Sequence, residues 1–125
     1  MGDATPDIVV VRERIAAADL AALVERFFGD MVKYVVDVRR EVGAIGGELH
    51  ADAEQVLLED GSRQEDLWGA NYYPGRGAEA CIEFTSLINI RPSQGNRSME
   101  VEDAGIRDRV RELSYRLLGR GEALP

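Results

Sequence analysis

With 125 residues, 45% of them hydrophobic, the chain is long enough to bury a core of its own without disulfides or a structural metal, and its composition fits neither a fibrous nor a disordered class. Its 23 acidic residues outnumber 15 basic ones, and the resulting net charge of −8 repels phosphate backbones, which disfavours nonspecific nucleic-acid binding. Cys81 is the only cysteine, so an intramolecular disulfide and a multi-cysteine zinc site are excluded. No stretch approaches the ~18 apolar residues that cross a membrane, and a soluble, cytoplasmic protein is expected.

Ile8 to Val11 is a β-branched run that predicts a strand. Leu20, Leu23, Val24 and Phe27 then recur at helical spacing and predict a helix over about 16–28, stopped by Gly29. Met31 to Val38 and Val42 to Ile45 predict two strands joined by a short turn through Arg39, Arg40 and Glu41. Gly46 and Gly47 loosen the backbone before a short helix with Ala53, Val56 and Leu57 on its inner face, ended by Asp60, Gly61 and Ser62. Two further strands are predicted from Leu67 to Tyr73 and from Ala80 to Arg91, connected through Pro74, Gly75, Arg76 and Gly77. In the later one Ile82, Phe84, Ser86, Ile88 and Ile90 would make a mainly apolar face. Asp103 is placed to cap a last helix over about 104–118, in which Ile106, Val110, Leu113 and Leu117 form one stripe. This order predicts a single α+β domain over 1–125: a mainly antiparallel sheet, two longer helices packed on one face and one short helix, with 1–6 and 120–125 frayed.

Chemistry concentrates around His50, the only histidine. In an extended stretch Glu48, His50 and Asp52 share a face; in a helix His50 and Glu54 do. Glu48, His50, Asp52 and Glu54 are therefore the candidate ligands of a divalent metal, and His50 and Glu48 the candidate catalytic pair. The structural alternative has Asp52 at a helix N-terminus, His50 bonded to a neighbour and the glutamates solvated. A second candidate is the polar loop after the apolar strand, where Asn89, Arg91, Asn96 and Arg97 surround a glycine and could bind an anion; a self-bonded turn accounts for the same composition. The stretch Trp68 to Tyr73, with the only Trp and two of the four Tyr, is read first as core and otherwise as a partner interface. Of the 15 basic side chains only Lys33 is lysine.

The words Gly47-Glu48-Leu49-His50-Ala51-Asp52, Leu57-Leu58-Glu59-Asp60-Gly61-Ser62, Asp66-Leu67-Trp68-Gly69 and Ile88-Asn89-Ile90-Arg91-Pro92, in that order, resemble a small bacterial family of uncharacterised proteins with a domain of unknown function. The resemblance spans about 28–110 and implies no activity. Two functions of different class follow from the residues. The first is a non-catalytic binding or interaction module, a homo-oligomer or a toxin–antitoxin-like component, working through the Trp68–Tyr73 strand. The alternative is a small metal- or acid/base-dependent enzyme whose Glu48–Glu54 cluster acts on an anionic substrate held by the Arg91–Arg97 loop. A short chain with one histidine and no catalytic motif favours the first.

Overall fold

The computed structural model describes residues 7–125, so the expected fraying of 1–6 lies outside the described residues. Five strands, β1 (Ile8–Val11), β2 (Val32–Asp37), β3 (Val42–Gly46), β4 (Leu67–Tyr72) and β5 (Ile82–Glu83), form one sheet in the order β1-β3-β2-β4-β5, every neighbouring pair antiparallel. Three helices complete the domain: α1 (Ala17–Phe27), α2 (His50–Glu59) and α3 (Ala104–Leu117). The α+β class, the antiparallel sheet and the three helices agree with the sequence reading.

Alternation along the strands decides what each face holds. Val32, Tyr34 and Val36 of β2 and Trp68, Ala70 and Tyr72 of β4 face the apolar stripes of α1 (Leu20, Leu23, Val24) and α3 (Val110, Leu113, Leu117). Val35, Val42, Ala44 and Leu67 point the other way and close on Ala53 and Leu57 of α2. The sheet is thus covered on both faces, which is why β2 and β4 read as nearly continuous apolar runs. Polar atoms inside the larger core are matched in pairs: Ser114 Oγ donates to Val110 O (2.7 Å), so Tyr34 is the donor in the 2.5 Å bond between the two hydroxyls. At the start of α3 the Asp103 carboxylate accepts from Ile106 N (2.9 Å), as the sequence predicts.

Two expectations are corrected. The strand expected over Ala80 to Arg91 pairs with β4 only at Ile82 and Glu83; short 3-10 turns follow at Leu87–Asn89 and Pro92–Gln94. Asn89 takes the place of a strand edge, its side chain donating to Gly69 O (3.0 Å) and accepting from Gly69 N (2.9 Å), so Asn89 is buried and Ile90 exposed, the reverse of the predicted faces. The tail is also held, since Gly121 N donates to Tyr72 Oη (2.8 Å), and Gly75 N and Gly77 N donate to Gly121 O.

Candidate functional site

His50 opens α2 and is buried against the sheet, where Nε2 lies 2.8 Å from Ala70 O. A carbonyl only accepts, so in the neutral ring Nε2 carries the hydrogen and Nδ1 the lone pair. Burial holds the imidazole below its ordinary pKa and outweighs the bond to Ala70; Lys33 pushes in the same direction as burial, while Asn71 and Glu83 oppose it. The net effect favours the neutral ring.

The residues expected to join His50 in a metal site do not converge on it. Glu48 and Asp52 are exposed and line a separate hollow with Asp7 and Phe27, and Glu54 turns to Gln64. Among the described residues no three His, Cys, Asp or Glu side chains gather closely enough to hold a metal ion. Helix geometry accounts for Asp52, which projects about 200° around the axis from His50 once α2 begins there; Glu54 keeps the helical spacing but bonds to Gln64 instead. Ser86, also close by, accepts from Ile88 N (3.2 Å) and makes no hydrogen bond to His50.

What His50 does join is a hollow of about 340 Å3 between the start of α2 and the segment after β5. Its polar wall includes Lys33 and Asn71, which face each other across β2 and β4, with Glu83 next in register on β5. Asn71 Nδ2 donates to Glu83 Oε1 (2.7 Å), and Asn71 Oδ1 is buried beside the His50 ring without a hydrogen bond of normal geometry. The rim is apolar: Leu49, Leu87 and Met99 are 57%, 74% and 41% exposed. A partly enclosed, largely apolar hollow with a few converging polar groups is the usual form of a small-ligand site. Sequence reasoning found His50, considered Asn71 only as part of an aromatic surface, and missed Lys33, although Lys33 carried a signal as the only lysine.

The polar loop is built inward. Arg91 is buried with its guanidinium 4.3 Å from the Trp68 ring, donating to Ile88 O (3.1 Å), Gln64 O (2.5 Å), Gln94 Oε1 (3.2 Å) and Leu67 O. Asn89 is committed to Gly69 and Met99, and Asn96 to the backbone of Asn89, Ser98, Glu100 and Glu102. Arg97 is exposed, and its N–H, with that of Ser98, binds the carboxylate of Glu102 (3.0 and 2.7 Å). Of the four residues expected to bind an anion, only Arg97 meets one here, through its backbone N–H, and that carboxylate is the chain's own. Ser98, through its hydroxyl and backbone, and then Arg97 hold the Glu102 carboxyl below its ordinary value of 4.5. A depressed carboxyl pKa stabilises the fold above the unfolded value, and that contribution is lost as pH falls through the folded one. A carboxyl-detected NMR titration is expected to place Glu102 below its ordinary value of 4.5, with the Arg97 and Ser98 amides moving at the same midpoint; a midpoint at or above 4.5 counts against the contact.

In the Trp68–Tyr73 stretch, expected first as core, Trp68 to Tyr72 are turned inward and Tyr73 is half-buried. β4 is an internal strand whose six residues are all buried, with Trp68 and Tyr72 in the main core. No helix among the described residues is long and apolar enough to cross a membrane.

The fold is a small α+β domain with a partly enclosed hollow beside its one histidine. A family model described as a protein of unknown function (DUF5674) matches residues 9–117, and the chain belongs to that family. No curated protein and no solved structure matches it.

Proposed function

We propose that the protein is a non-catalytic binding module and that it binds at the hollow formed by Lys33, His50 and Asn71 rather than along β4. The observation that carries this reading is Asn71 Oδ1, a buried acceptor left without a hydrogen bond of normal geometry in a hollow whose rim exposes three large apolar side chains. An unmatched buried acceptor costs about 1–3 kcal/mol, and a ligand donor would recover part of it. Exposed apolar area around such a group favours the same occupant, because burying it adds roughly 25 cal/mol per Å2. A protein partner, whether a second copy or a toxin–antitoxin-like counterpart, would use the same rim.

The test is amide NMR of the whole chain against a panel of small neutral donors such as isobutyramide and benzamide. Shift changes gathered at Lys33, Leu49, Asn71, Leu87 and Met99 are expected. Changes gathered elsewhere, or none across the panel at millimolar concentration, would refute the reading.

A further inference from the structure

The polar wall of the hollow has a direction set by sheet register. Lys33, Asn71 and Glu83 lie opposite one another on β2, β4 and β5 and form a row on the face that α2 covers. The Glu83 carboxylate only accepts, so the Asn71 amide presents nitrogen to it and its oxygen turns away. Glu83 is further held by the Tyr73 hydroxyl (3.2 Å), which leaves the negative end of the row well satisfied. The positive end is not. In a chain of net charge −8, Lys33 forms no salt bridge among the described residues, and its ammonium lies 5.1 Å from the ring of Phe28.

The hollow therefore offers a cation and an unfilled acceptor from directly opposed positions on adjacent strands, about 5 Å apart at their Cβ atoms, beside the apolar rim. A bare phosphate would meet Lys33 but bring no apolar body to the rim, and a cationic ligand would be repelled by Lys33. Resting on the binding reading above, we propose that the site takes an α-amido carboxylate with an apolar side chain, the end group of a peptide or of an N-acylated amino acid. Its carboxylate meets Lys33, its N–H donates to Asn71 Oδ1, and its side chain lies among Leu49, Leu87 and Met99. Carboxylate and N–H share one carbon in such a molecule, which matches two receptor groups on neighbouring strands. Capture of a terminal carboxylate is an established mode of peptide recognition.

The experiment is an NMR titration of the full chain with N-acetyl-leucine, N-acetyl-leucinamide, isocaproate and an N-acetylated hexapeptide ending in leucine. N-acetyl-leucine is expected to perturb the hollow. Its amide should bind up to about fivefold more weakly, the loss of one partly exposed charged contact, and isocaproate, which lacks the N–H, should also bind more weakly. Lys33→Met should bring the acid down to the level of the amide, and Lys33→Arg should keep the preference. A hexapeptide tighter than N-acetyl-leucine identifies a protein C-terminus as the source, and equal binding identifies a free acylated amino acid. If acid and amide bind alike in the wild type, or if Lys33→Met leaves their ratio unchanged, the ligand class is wrong while the binding reading stands. If none of these compounds and none of the neutral donors moves the hollow, both fail.

Discussion

Replacing Arg91 by methionine is expected to lower stability by about 3 kcal/mol, and Arg91→Lys to recover only a small part of that loss. The guanidinium is a planar fork that reaches Ile88 O, Gln64 O and Leu67 O at once while stacking on Trp68. Methionine keeps the apolar stem but removes these donors; Gln64 O keeps its bond from Leu67 N, whereas Leu67 is fully buried and its carbonyl loses the guanidinium. An ammonium is a point donor on a flexible stem and cannot span the three directions. Urea unfolding measures the loss, and the fluorescence of Trp68, the only tryptophan, reports on its partner directly. Arg97→Ala, a change at an exposed guanidinium, is expected to cost about 0.5 kcal/mol or less. Equal stability of the Arg91 and Arg97 variants would contradict the assignment of Arg91 as the link between the loop and β4.

The difference between these two arginines is invisible in the sequence, where both stand in one polar loop. What separates them is a set of contacts to residues 24 and 27 positions away, made when the loop returns to the beginning of β4. The same limit applies to the candidate site. His50 was legible because a lone histidine among carboxylates stands out locally, but its working neighbours depend on pairings of residue 33 with 71 and 71 with 83, which periodicity does not specify. Helices α1 and α3 were legible because each carries its own apolar stripe, and the long final strand was misread because the alternating stretch leaves β4 after Glu83, pairs at Phe84 to Ser86 with Met99 to Val101 and then turns at Leu87–Asn89. Two turns of 3-10 helix there replaced backbone ladder bonds with the side chain of Asn89, a substitution that local pattern does not reveal.

Gly69→Ala is expected to cost about 2–3 kcal/mol and to deform the hollow, because this glycine is where β4, Asn89 and the site meet. A Cβ added at Gly69 would fall 2.7 Å from Ser86 Cβ, 2.8 Å from Ser86 Oγ and 3.2 Å from His50 Cδ2. The strand cannot easily recede, since both backbone polar atoms of Gly69 are bonded to the Asn89 side chain. The segment carrying Ser86 must then move, and with it Leu87 on the rim of the hollow, while His50 loses its fit against the strand. Ser86→Gly removes the two closest atoms, so the double variant Gly69→Ala with Ser86→Gly should be more stable than the sum of the single losses predicts, by at least ~1 kcal/mol. Unfolding of the four proteins of this cycle gives the coupling energy. In the Gly69→Ala protein the amides of Leu49, Asn71 and Leu87 should shift before any ligand is added, and compounds that bind the wild-type hollow should bind weakly. Additive losses, or an unchanged hollow in Gly69→Ala, would mean that the absent side chain at position 69 has no part in shaping the site.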